Sequence, residues 1–122
     1  MLTFDSSSPI YVQIADDIRR RIVSGELKPG DQLMSTTQYA TTYRINPATA
    51  NKAFAALTAE GLVYKQRGIG MFVTDEAPTI LRAAGRETYR AELLAPAVRA
   101  GLAYGFTPKE IVTLTQKILE EQ

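Results

Sequence analysis

Residues 46–61, Asn46-Pro47-Ala48-Thr49-Ala50-Asn51-Lys52-Ala53-Phe54-Ala55-Ala56-Leu57-Thr58-Ala59-Glu60-Gly61, decide the fold. Asparagine followed by proline reads as a helix start: the asparagine oxygen accepts from an orphan backbone N–H, and proline sits where no donor is needed. Ala50, Ala53, Phe54 and Leu57 fall on one stripe at helical spacing, and Gly61 ends the helix. Ala48, Thr49, Asn51 and Lys52 are left facing outward on its first turns.

Upstream, Ser35 and Gln38 have capping-box spacing and open a short helix whose first residues include Thr36 and Thr37. Tyr39, Ala40 and Tyr43 form its inward side, and Arg44-Ile45 is a tight link to the helix that starts at Asn46. Further upstream, Ile10, Ile14, Ile18 and Ile22 recur every four residues, so a helix capped by Ser8 runs from Pro9 to a stop at Gly25. Pro29-Gly30-Asp31 is a turn.

Downstream, Leu62–Lys65 and Met71–Thr74 read as short strands around the glycine-containing loop Gln66-Arg67-Gly68-Ile69-Gly70. The composition changes near Asp75-Glu76-Ala77-Pro78. Beyond it a helix is expected from about Pro78 to about Tyr104. Pro96 lies inside that helix and predicts a kink near Glu92–Pro96. A last helix begins at Thr107-Pro108. The fold class is mainly α with a small β-hairpin. A winged helix-turn-helix over residues 1–75 is followed by a two-helix region over 76–122.

Composition removes several functions. The 122 residues are 45% hydrophobic and 22% charged, as in an ordinary globular chain. Without Cys or His there is no thiolate nucleophile, imidazole base or Cys/His zinc site. No paired carboxylates or phosphate loop appear, and Gly68-Ile69-Gly70 lacks the rest of a dinucleotide fingerprint. We therefore read the chain as a non-enzyme with no cofactor and no metal. The start carries neither a basic nor an apolar targeting segment, and no apolar run approaches a bilayer span; a cytoplasmic chain without a membrane partner is expected.

Two short helices joined by a tight turn, the second opening with small polar residues, form a helix-turn-helix, and the following hairpin makes it a winged helix. Such a unit places the second helix end-first in the major groove of double-stranded DNA. Asn51 suits the donor–acceptor edge of adenine, and the Thr49 methyl suits a thymine methyl. Ala48 permits close approach, Lys52 and Arg44 suit phosphates, and Lys65 and Arg67 charge the wing. The formal net charge is only +1. From Arg44 to Gly68, however, Arg44, Lys52, Lys65 and Arg67 face Glu60 alone, a local net of +3. Each feature also has a plainer structural role: Asn46 as a cap, Lys52 and Arg44 as solvated charges, Gly68 as a turn residue.

Several linked segments carry a resemblance. They are Pro9-Ile10-Tyr11-Val12-Gln13-Ile14, Gly25-Glu26-Leu27-Lys28-Pro29-Gly30-Asp31-Gln32-Leu33, Asn46-Pro47-Ala48-Thr49-Ala50, Glu60-Gly61-Leu62 and Gly68-Ile69-Gly70-Met71-Phe72-Val73. In order and spacing the chain resembles the GntR family of bacterial transcription regulators, and its short tail resembles the YtrA-like branch. The resemblance carries DNA contacts over to Asn46, Ala48, Thr49, Asn51 and Gly68; with the basic Arg44, Lys52, Lys65 and Arg67 read above, and Ser35, Thr36 and Thr37 at the start of the second helix, these are the candidate DNA-binding residues. It also implies repression and a two-helix dimerisation tail. The sequence departs from the family at Met34-Ser35-Thr36-Thr37, where the family reads Pro-Ser-x-Arg, and at Pro47, where another branch carries arginine.

In the tail, Tyr89, Leu93, Leu94, Val98, Leu102, Tyr104 and Phe106 exceed what an isolated helix pair can bury, and Ile111, Leu114 and Ile118 form the inner face of the last helix; Tyr89, Leu93, Leu94, Val98, Leu102, Ile111, Leu114 and Ile118 are the candidate dimerisation residues. A homodimer through this face would set two winged helices on a pseudo-palindromic operator. The other reading packs these residues back on the winged unit. A small-molecule effector has polar candidates in Arg82, Arg86, Glu87, Tyr89 and Arg90. The competing function is a winged helix that binds protein and not DNA; a steep loss of binding with salt separates the two.

Overall fold

The computed structural model describes residues 2–122. The first unit, which runs to Arg82, holds three helices and a hairpin: α1 (Ile10–Ser24), α2 (Thr36–Tyr43), α3 (Pro47–Ala59), β1 (Val63–Gln66) and β2 (Gly70–Val73). Its core is the stripe expected on α1 without Ile10, which is exposed in the first turn: Ile14, Ile18 and Ile22 pack against Ala50, Ala53, Phe54 and Leu57 of α3. Leu62, Val63 and Val73 close it from the hairpin, and Leu33 and Tyr39 from the chain before α3. Burying these side chains contributes about 1.5–3 kcal/mol for each large one.

The start of α1 differs from the sequence expectation. Pro9 is the cap position, Ile10 is the first helical residue, and no side chain caps the helix. Gln13 instead anchors the segment before the helix: its Nε2 donates to the Ser8 carbonyl at 2.7 Å and to the Asp5 carbonyl at 2.9 Å. The Asp5 N–H returns a bond to Gln13 Oε1 at 3.1 Å. A side chain already folded into the helix thus ties down the entering segment.

The strands sit one residue away from their expected bounds. They pair antiparallel, with Val63 opposite Val73 and Gln66 opposite Gly70, leaving a loop of Arg67, Gly68 and Ile69. A third segment joins them. Gln32 bridges to Phe72, the Leu33 N–H donates to the Met71 carbonyl at 2.8 Å, and the Val73 N–H donates to the Asp31 carbonyl at 3.0 Å. The turn expected at residues 29–31 therefore leads directly into strand pairing.

Helix α4 spans Ala77–Thr88, and the division between the two units falls inside it, between Arg82 and Ala83. This lies beyond the composition change near Asp75, because Ala77 is buried in the core and Leu81 packs on it. The second unit, Ala83–Gln122, also holds α5 (Ala95–Ala103) and α6 (Pro108–Glu120). The kink expected near Glu92–Pro96 takes the form of a π-helical segment, Tyr89–Leu94. Pro96 has no N–H to donate one turn back, and the helix widens ahead of it, with the Ala95 N–H reaching the Arg90 carbonyl. Gly105, at φ 89°, ends α5; its N–H and that of Phe106 donate to the Leu102 and Gly101 carbonyls at 3.1 Å each. Thr107 and Glu110 form a reciprocal capping box at the start of α6.

Candidate nucleic-acid interface

The leading end of α3 is built by its cap. Asn46 Oδ1 accepts from the Ala48 N–H at 2.9 Å, and Pro47 follows at the first helical position. The cap uses the Asn46 oxygen and leaves the amide nitrogen to donate elsewhere. With Ala50, Ala53, Phe54 and Leu57 turned into the core, Ala48, Asn51 and Lys52 are exposed and Thr49 is half-buried. Helix α2 starts beside this face. Ser35 Oγ accepts from the Gln38 N–H at 3.1 Å, and Gln38 Oε1 accepts from the Ser35 N–H at 2.7 Å. Thr36 is half-buried and Thr37 is exposed.

Arg44 ends α2 in the left-handed conformation, φ 54° and ψ 48°, the one non-glycine residue with positive φ among the described residues. This tight reversal allows α3 to begin three residues later, and the Arg44 side chain is exposed. Lys65, Arg67 and Gly68 are exposed on the wing. The tip turns at Gly68, φ 78°, with the Ile69 N–H donating to the Gln66 carbonyl at 3.0 Å.

An open groove of about 620 Å³ brings together Ser35 and Thr36 of α2, Asn51 and Ala55 of α3, and Lys65 and Gly70 of the hairpin. A second hollow, of about 570 Å³, joins Ala48, Thr49 and Lys52 to Tyr11 of α1. Thr37, Arg44, Asn46, Arg67 and Gly68 line neither. Among the described residues no carboxylate pairs with Arg44, Lys52, Lys65 or Arg67. Glu60, the acid within this basic stretch, is spent on Arg19 of α1 at 2.5 Å, a hydrogen bond that raises the Arg19 pKa.

Sequence reasoning missed Gln32. Its Nε2 donates to the Ile69 carbonyl at 3.0 Å and so holds the wing tip. The signal available was the alternation Asp31-Gln32-Leu33, with Leu33 apolar and buried. Among the described residues no group of three or more Asp or Glu is placed to hold a metal, and no helix is long and apolar enough to cross a membrane.

Residues 10–73 match the family described as bacterial regulatory proteins, gntR family. The chain belongs to the gntR family. It is 35% identical over 109 residues to the uncharacterized HTH-type transcriptional regulator YhcF of Bacillus subtilis (strain 168), covering 89% of this chain and 88% of YhcF. It is 40% identical over 76 residues to the HTH-type transcriptional repressor YtrA of the same organism, covering 62% of this chain and 58% of YtrA. The AraR DNA-binding domain, solved in complex with operator ORR3, matches with a TM-score of 0.54 at 26% identity, over 61% of this chain and 89% of that one. The winged helix of this gntR-family chain is thus of a kind seen on DNA in a relative.

The tail residues singled out in the sequence are not buried. Val98 and Ile111 are half-buried, while Tyr89, Leu93, Leu94, Leu102, Leu114 and Ile118 are exposed. Helices α5 and α6 approach closely at Gly101, where a Cβ would lie 3.2 Å from Ile111 Cδ1. Of the polar candidates for an effector, Glu87 and Arg90 bind each other in two hydrogen bonds of 2.6 and 3.1 Å.

Proposed function

We propose that this chain is a transcription repressor that binds a pseudo-palindromic operator as a homodimer, with residues 1–75 reading DNA and residues 76–122 joining the two copies. The observation that carries the reading is the exposed leading end of α3, set among four cations that no carboxylate of the described residues neutralises. Asn51 pairs with an adenine edge and Thr49 meets a thymine methyl, while the small Ala48 side chain lets α3 approach the groove floor. The Asn46 amide, the first turn of α2 (Ser35, Thr36, Thr37), Arg44 and Lys52 hold the phosphate backbone. Lys65, Arg67 and Gly68 bring the wing to the neighbouring groove. Repression is supported by the relative named as a repressor, and operator binding by the relative solved on its operator.

The test is footprinting and fluorescence anisotropy on the DNA upstream of the protein's own gene, over a range of salt. Binding is expected to weaken steeply as salt rises, as backbone-held complexes do. Thr49→Ala or Asn51→Ala is expected to cost about 1–3 kcal/mol at the contacted base pair and to relax discrimination there. Lys52→Ala is expected to weaken all duplexes alike. Unchanged operator affinity in all three variants would remove the contact assignment.

A further inference from the structure

Lys52 is held in an unusual way for a side chain assigned to a phosphate. Its Nζ lies 4.3 Å from the centre of the Tyr11 ring, and both residues line the hollow at the leading end of α3, with Ala48 and Thr49. Tyr11 is half-buried on α1, one turn before the buried Ile14 and Ala15, so its ring stands beside the packed core. An acidic partner would also hold the lysine, but it would cancel the charge that a phosphate needs. An aromatic face attracts the ammonium through its quadrupole and leaves the net charge in place. A free lysine would have to give up the freedom of its four-carbon stem on binding; one already resting on a ring has given up part of it.

We propose that Tyr11 is a positioning residue for backbone recognition: its ring presents the Lys52 ammonium, uncancelled, to a phosphate beside the leading end of α3. The proposal rests on the DNA-binding reading above. It adds α1 to the interface as the element that pre-orders a contact made by α3.

The test has one readout without DNA and one with it. Without DNA, the Lys52 methylene protons next to Nζ are expected to be ring-shifted upfield in NMR spectra of the full chain, and to return to ordinary positions in Tyr11→Leu. With DNA, anisotropy titrations on the upstream duplex compare the wild type with Tyr11→Leu, Tyr11→Phe, Lys52→Met and the Tyr11→Leu/Lys52→Met double variant. Tyr11→Leu is expected to weaken binding about two- to fivefold, with Tyr11→Phe restoring it. Lys52→Met is expected to lower the salt slope by about one, and Tyr11→Leu to add nothing on that background. Equal losses from Tyr11→Leu with and without Lys52 would mean that the ring acts through folding alone. A Tyr11→Phe protein as weak as Tyr11→Leu would assign the effect to the hydroxyl. Ordinary lysine shifts in the wild type would remove the pair itself. A wild type showing the ring shift but no affinity for duplex DNA would overturn the functional reading and, with it, the presentation of Lys52 to phosphate.

Discussion

Tyr39 carries its ring into the core, the residue as a whole only 3% exposed, stacked on Tyr43 at 5.7 Å and edge-on to Phe54 at 5.8 Å. Burial raises its phenol above the ordinary value of 10.0, against the opposing pull of Arg21, because the phenolate would lose its water. In the unfolded chain the phenol ionises at its ordinary value, so a rising pH favours unfolding. The stabilisation is fully present below 10.0 and is lost as pH climbs through the raised folded value. Comparing urea midpoints of the wild type and Tyr39→Phe across that alkaline window isolates the effect. The wild type is expected to lose stability more steeply than the variant; equal slopes would show that the phenol titrates as it does in water. Tyr39 was legible as inward-facing from its spacing alone, as were the caps at Ser35 and Asn46, because each depends on residues within a turn of it. The Ser8 cap is not formed, because the helix begins one residue later, at Ile10, and puts Pro9, which has no hydroxyl, at the cap position.

At the scale of elements, the wing depends on a segment far from it in sequence. Gln32 reaches the tip through its bond to the Ile69 carbonyl, and the space it uses exists because residue 70 is glycine. A Cβ there would lie 2.6 Å from Gln32 Nε2, on a backbone at φ 149° that side chains rarely adopt. Gly70→Ala is therefore expected to displace Gln32 and loosen the tip. Hydrogen exchange at Ile69 and Met71 should accelerate while amides of α1 stay protected, and operator affinity should fall without loss of the α3-dependent sequence preference. Unchanged exchange at the tip would show that the Gln32 bond does not restrain it. The hairpin itself was readable from alternating residues around a glycine loop. Its third partner was not, since pairing between residues 31–33 and 71–73 is non-local and Pro29-Gly30-Asp31 signalled only a turn. The π-helical segment was half legible. Pro96 announces a missing donor, but the choice between a bend and a widened turn depends on how the residues before it share their carbonyls.

At the scale of the whole molecule, the proposed joining of two DNA-reading units rests on the exposed apolar residues of the tail. No residue of the second unit is buried, although Tyr89, Leu93, Leu94, Leu102, Leu114 and Ile118 are all large and apolar. So many exposed large apolar side chains on one short segment favour a protein partner, and twofold pairing is the commonest form of self-association. Leu93→Glu with Leu114→Glu changes exposed positions outside the core, so each copy is expected to fold with unchanged helix content. Light scattering is expected to give the wild type twice its 13.4 kDa chain mass and the double variant that mass itself. Linking two readers makes the second binding event intramolecular, worth about 10²–10⁴ in avidity where the geometry fits. The variant should therefore keep the affinity of the wild type for a single half-site and lose most of its advantage on the full operator. A wild type that stays at 13.4 kDa while binding the full operator no more tightly than a half-site would leave the tail without the joining role assigned to it.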